Sequence, residues 1–202
     1  MNGYTGKGLV IDLTERKSSA IELSQAMLRG YLGGSGLAVR LLYEHLAPGV
    51  DPLSPENVLV FACGPFAGTI VPAAAKHAVA TKSPLTGLLG DAMAGSFFTH
   101  TLQRAGYDAL VVKGRAEAPT YVFIDDHAVY FRGAQALWGL ECFEAEETIR
   151  EELGDEAVRV AAIGPAGENL VRFACIGNDR GRQAGRTGPG AVMGSKNLKA
   201  IA

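Results

Sequence analysis

Two stretches that lie one hundred residues apart constrain this chain more than any other feature. Residues 58–64 (VLVFACG) run into Pro65, and residues 158–164 (VRVAAIG) run into Pro165. Each is a short apolar run rich in β-favouring residues and stopped by Gly-Pro, the pattern of a strand buried on both faces. What precedes each run also repeats. Residues 8–13 (GLVIDL) read as a strand with an antiparallel partner at 20–23, and 121–125 (YVFID) read as a strand with a partner at 129–131. A helical segment follows each hairpin. In the first half Ser24 caps a helix running toward Leu32, and a second helix spans 37–46. In the second half Cys142, Ala145, Ile149 and Leu153 recur at steps of three, four and four, one stripe of a helix. Strand, hairpin, helix and strand, in that order and twice, predict an α+β fold made by internal duplication of two similar α+β halves. The halves fall at about 8–68 and 120–176 of a single domain, 1–202, and 69–106 is read as the segment linking them.

The 202 residues are enough for a sizeable core, and 26 of them are glycine, about twice ordinary usage. Nineteen Lys and Arg against 21 Asp and Glu give a net charge of -2, which argues against a nucleic-acid partner. Cys63, Cys142 and Cys175 are far apart, with no C-x-x-C pair. That spacing argues against a disulfide scaffold, a zinc finger or a complete iron–sulfur site in this stretch. The start (MNGYTGKG) has no apolar leader, and no apolar run approaches the length of a membrane span. The expectation is a cytoplasmic protein with no membrane partner.

Between the halves the texture changes. Residues 64–95 show little periodicity and many small side chains, with a punctuated stretch, TKSPLTG, at 81–87. Ser96 is placed to cap a short helix over 97–105 that Gly106 ends, and 109–113 return to strand. The four histidines never pair at i, i+4, and no G-x-S-x-G elbow occurs. His45 reads as a helix-boundary residue and His127 as part of a hairpin turn. His77, next to Lys76 in the small-residue segment, is the histidine with the better claim to a role. The carboxylates of 141–156 read as the wet face of the Cys142–Leu153 helix.

The strongest chemical signal is the last stretch, 172–202. It carries Arg172, Arg180, Arg182, Arg186, Lys196 and Lys199 against a single acid, Asp179, and is interleaved with glycines. Glycines expose backbone N–H groups and arginines offer forked donors, so the composition suits a phosphate-bearing ligand, with a basic surface loop as the alternative. Neither a dinucleotide fingerprint nor a nucleoside-triphosphate loop is present. Gly33, Gly34 and Gly36 follow a helix rather than a strand, and Gly194-Ser195-Lys196 lacks the required spacing.

Five segments carry a family resemblance: DPLSPEN at 51–57, TKSPLTG at 81–87, AGYD at 105–108, IGPAGENL at 163–170 and GAVMGSKNLKAIA at 190–202. In this order the sequence resembles the N-terminal domain of tungsten-dependent aldehyde ferredoxin oxidoreductases. The resemblance implies a domain of two similar halves lying over a tungsten, or molybdenum, bis-pyranopterin. It carries the cofactor-binding role onto Lys76, Met93, Gly95, Arg182, Gln183 and Gly185. It also implies a magnesium ion bridging the pterin phosphates, held in part by the backbone carbonyls of Met93 and Gln183. No catalytic residue is implied within this stretch. Lys76 stands where the family commonly has Arg, which keeps the charge but loses the bidentate fork.

By the same resemblance the enzyme oxidises aldehydes to carboxylates with ferredoxin as electron acceptor. Its 4Fe-4S cluster and substrate pocket lie in further domains, so the present chain alone is expected to be inactive. The implied partners are those domains, ferredoxin and a second copy in a homodimer. The competing reading is a stand-alone pterin-binding, carrier or interaction module without turnover.

Overall fold

A computed structural model describes residues 3–125 and 128–202. His127, read above as a turn residue, lies outside the described residues. The fold is α+β, with two six-stranded mixed sheets. In chain order the first sheet comprises β1 (Lys7–Asp12), β2 (Lys17–Glu22), β3 (Leu59–Cys63), β4 (Lys76–Lys82), β5 (Leu89–Gly95) and β6 (Ala109–Lys113). The second comprises β7 (Thr120–Ile124), β8 (Val129–Gly133), β9 (Ala161–Ala162), β10 (Ile176–Asn178), β11 (Arg182–Ala184) and β12 (Leu198–Ile201). The strand orders are β2-β1-β6-β3-β4-β5 and β8-β7-β12-β9-β10-β11. Every neighbouring pair also matches in sense: β1 with β6 and β7 with β12 are parallel, and all other pairs are antiparallel.

The segment 69–106, read as a link between halves, instead supplies β4 and β5 to the first sheet. The reason it escaped periodicity is visible in β4, whose residues from His77 to Thr81 are all buried. With both faces covered, the alternation that marks a half-exposed strand never arises. TKSPLTG is the hairpin joining β4 to β5, closed by Ser83, whose Oγ accepts from the N–H groups of Leu85 and Thr86.

Strand residues alternate between two cores. Leu9, Ile11, Leu59, Phe61, Leu110 and Val112 of the first sheet meet Val122, Ile163, Ile176, Leu198 and Ile201 of the second in one shared interior. Each such side chain contributes about 1.5–3 kcal/mol by leaving water. The intervening residues Val10, Val60, Ala62, Ala78 and Val111 face outward beneath α1 (Gln25–Tyr31) and α2 (Gly34–His45). Tyr121, Ala162 and Ala200 do the same beneath α4 (Cys142–Leu153). Before α4 the chain makes only a short 3-10 turn, Gln135–Leu137.

Ser24 caps α1 as expected, its Oγ accepting from Met27 N–H at 3.1 Å. The second helix starts three residues earlier than 37, at Gly34. Gly36 permits this, because a Cβ there would stand 2.3 Å from the Tyr31 carbonyl oxygen. Glu146 departs from the wet-face reading of 141–156. It is buried, ion-paired to Arg150, and accepts from Arg180 N–H at 3.3 Å.

Two basic residues of the last stretch prove structural. Lys196 is sealed from solvent and donates to the carbonyls of Pro55 (3.2 Å), Asn57 (2.5 Å) and Gly114 (3.0 Å), pinning the proline-rich loop before β3. Lys199 is buried against Glu168 of α5 (Pro165–Glu168). Gly188, Gly190 and Gly194 are likewise occupied by packing. Cβ atoms there would fall 2.0 Å from Arg172 O, 2.3 Å from Cys175 O and 2.0 Å from Gly167 O. The contact of Gly194 with Gly167 lets α6 (Pro189–Ser195) cross α5 backbone to backbone. Of the residues that suggested a phosphate loop, Arg182, Gly185 and Arg186 stay free of these duties.

Candidate functional site

β5 ends the first sheet, β11 ends the second, and the two edge strands pack beside each other. Where they meet, Lys76 at the start of β4, Gly95 at the end of β5 and Arg182 at the start of β11 line one cleft of about 460 Å³. These three come from widely separated parts of the sequence. The β4–β5 pairing sets Lys76 opposite Gly95, and the β10–β11 pairing sets Asn178 opposite Arg182. Neither Lys76 nor Arg182 enters an ion pair among the described residues, so their charges are available to a ligand.

Ser96, Phe97 and Asp179 also line the cleft, together with Ala73 and Ala75. Ser96 precedes α3 (Phe97–Arg104) but does not cap it. That role falls to Asp179, whose Oδ2 accepts from the Phe97 N–H across the cleft. Among the described residues the Ser96 hydroxyl and Asp179 Oδ1 are buried without a hydrogen-bond partner, and so is the whole carboxamide of the adjacent Asn178. Unpaired buried polar atoms are costly, and such groups ordinarily take a water, an ion or a ligand. The Phe97 ring is 63% exposed, and the Arg159 guanidinium stands 5.4 Å from its centroid, adding a third positive charge nearby.

The glycines support the same reading. A Cβ on Gly95 would find its nearest neighbours at 3.7 Å, and one on Gly185 would meet only the Gln183 Cβ at 3.9 Å. Packing therefore does not require glycine at either position, and the backbone there is open to close approach. Gly185 and Arg186 do not line this cleft; the segment after them is tied to the other end of the β4–β5 pair by the hydrogen bond from Ser83 Oγ to the Thr187 carbonyl, 2.7 Å.

The remaining sequence candidates are placed differently. Met93 lies on edge strand β5 with its side chain half exposed. Gln183 lies on edge strand β11, but its side chain faces a second cleft shared with Cys142 and Cys175. Both residues sit on edge strands, which keep backbone groups that no neighbouring strand engages. His77 is a core residue. It is fully buried against Phe61 and Phe98, its Nδ1 lies 2.8 Å from Thr99 Oγ1, and burial pulls its pKa down to about 4. Sequence reasoning missed Asp179 as a site residue, although its standing as the lone acid in a basic stretch was a usable signal.

Among the described residues no three His, Cys, Asp or Glu side chains are grouped to hold a metal, and no helix is long and apolar enough to cross a membrane. Fold and cleft together define a two-sheet α+β domain with a cleft bearing two free basic side chains between its sheet edges. The chain belongs to the aldehyde ferredoxin oxidoreductase family, whose N-terminal domain it matches over residues 8–202.

Among its relatives is the tungsten-containing aldehyde ferredoxin oxidoreductase of Pyrococcus furiosus, 50% identical over 202 residues, which are all of this chain and 33% of that protein. The WOR-like subunit of an aliphatic sulfonate oxidoreductase from the same organism is 36% identical, again over the whole chain and 34% of the relative. A solved structure, the active-site complex BamBC of benzoyl coenzyme A reductase with 1,5-dienoyl-CoA, superposes with a TM-score of 0.96 at 38% identity. The match covers 99% of this chain and 30% of that one. The chain thus spans about a third of the length of the relatives it matches.

Proposed function

We propose that this domain holds the phosphate end of a metal-bound pyranopterin, as part of an oxidoreductase that converts aldehydes to carboxylates. The observation that carries the reading is the convergence of Lys76, Gly95 and Arg182 on one cleft that also holds unpartnered buried polar groups. Lys76 and Arg182 neutralise phosphate oxygens, Arg182 through a forked pair of donors and Lys76 as a point charge. Ser96 donates its hydroxyl, and Gly95 and Gly185 let the ligand approach the backbone. The backbone carbonyls of Met93 and Gln183, on the two edge strands, would suit a hard divalent cation such as magnesium, which takes oxygen ligands and keeps part of its water shell. When bound, the tungsten or molybdenum pterin supplies the two-electron chemistry, and the residues here orient it and balance its charge.

Two observations support a role inside a larger protein. The relatives are named for aldehyde, sulfonate and benzoyl-CoA substrates, so the part they share with this chain is not what selects the substrate. The cleft residue Phe97 is an exposed apolar side chain, as are Met93 on β5 and Ile70 in the loop before β4, and such side chains suit burial against further protein. The cluster relaying electrons to ferredoxin belongs, in this reading, to those further domains.

The test is cofactor content. In protein made by cells that synthesise the cofactor, Arg182→Ala and Lys76→Ala each lower pterin and tungsten per chain about tenfold, because each removes a charge-assisted bond worth ~1.5–3 kcal/mol. Unchanged content in both variants overturns the proposal.

A further inference from the structure

Asp179 is out of place in a cleft that favours an anion. It is the lone acid between residues 172 and 202, and it stands in the same cleft as Lys76 and Arg182 yet forms an ion pair with neither. The charge of its neighbour Arg180 is directed elsewhere, 2.6 Å from Glu147 Oε1. The two carboxylate oxygens are used differently. Oδ2 is fixed by the Phe97 N–H and thereby ties the β10–β11 turn to the start of α3. Oδ1 is buried and takes no partner among the described residues. The backbone at Asp179 adopts the left-handed region (φ 44°), which Asp and Asn tolerate better than most residues.

We propose that Asp179 determines which phosphate-bearing ligand the cleft retains. Through Oδ2 it positions the Arg182 wall against the Gly95 wall. Through Oδ1 it opposes a bare anion, so a phosphate is retained only when its bearer also turns an N–H or O–H donor toward that oxygen. The proposal rests on the phosphate-binding reading above and adds to it a specificity element. Repulsion of the wrong ligand discriminates as effectively as attraction of the right one.

Asp179→Asn separates the two roles. It keeps the size, the left-handed tolerance and an oxygen for the Phe97 N–H, but removes the charge. Asp179→Ala removes the oxygen as well. Protein from cells that make no pterin is titrated with inorganic phosphate by calorimetry, and protein from pterin-producing cells is assayed for cofactor. Asp179→Asn should bind inorganic phosphate about fivefold more tightly than wild type, the effect of relieving one like-charge opposition. It should also retain severalfold less cofactor. Asp179→Ala should in addition speed amide exchange over residues 97–100. Phosphate affinity or cofactor content equal to wild type in Asp179→Asn overturns the proposal. If Arg182→Ala leaves phosphate affinity unchanged, the phosphate site itself is wrong and the proposal falls with it.

Discussion

Glu168 and Lys199 meet in a sealed ion pair: Nζ lies 2.5 Å from Oε1, with 0% of the lysine side chain and 4% of the glutamate side chain exposed. Lys199 also donates to the Leu140 carbonyl at 2.7 Å, and Glu168 accepts from the Gly139 N–H at 3.0 and 2.9 Å. The pair joins α5 and β12 to the turn that enters α4. It also joins the two motifs, IGPAGENL and GAVMGSKNLKAIA, that make the sequence recognisable. Those motifs are scaffold, and the cleft lies elsewhere.

Breaking one side of this pair leaves an uncompensated buried charge. Lys199→Met should cost about 3–5 kcal/mol, and Glu168→Gln a similar amount, whereas the double variant should recover much of the loss. Urea denaturation of the four proteins measures the coupling. Additive losses would show that the two groups do not act as a unit.

His77 makes the fold sensitive to acid. Its folded pKa, lowered by burial to about 4, lies below the value of 6.5 in the unfolded chain. Between those values the unfolded chain binds a proton that the folded chain refuses. The contribution of His77 is therefore fully present above pH 6.5 and is lost as pH falls toward 4, by about 3 kcal/mol. His77→Leu should flatten that limb of the stability–pH profile while lowering stability at pH 7, where Thr99 loses its partner. An unchanged acid limb would place the sensitivity in other groups.

Gly194→Ala puts a methyl 2.0 Å from the Gly167 carbonyl oxygen, where backbone faces backbone and no side chain can yield. Separation of α5 from α6 should cost at least about 3 kcal/mol, a clear fall in the thermal midpoint. A midpoint within a degree of wild type would mean the crossing is looser than described.

Gly185→Ala is the contrasting case. Its new methyl meets only the Gln183 Cβ at 3.9 Å, so stability should stay within about 0.5 kcal/mol of wild type while cofactor content falls. Loss of stability, or full cofactor content in a stable variant, would remove Gly185 from the site.

Much of the fold was legible because half-exposed elements carry periodicity. β1 with β2, α1 with its Ser24 cap, and the stripe of α4 all follow from local pattern. β4 was not, because a strand buried on both faces shows no alternation, and β5 was not, because its buried positions are only Gly and Ala and leave no apolar pattern. The basic residues of 172–202 could not be sorted by sequence either. Lys196 and Lys199 differ from Arg182 only in what surrounds them, and those surroundings arrive from loops as far away as Pro55 and Leu140. The capping role of Asp179 depends on an N–H group 82 residues away, a relationship no local window contains.

The matched strand order has a bearing on how such a molecule could arise. A chain of half this length would expose its whole inner face to water and could cover it only by pairing with a copy of itself. Any ligand held at the meeting edges of that dimer would be touched twice by identical side chains. Fusing the copies into one polypeptide removes that obligation. Each edge is then free to diverge, and an asymmetric guest can meet Lys76 and Gly95 on one side and Asp179 and Arg182 on the other.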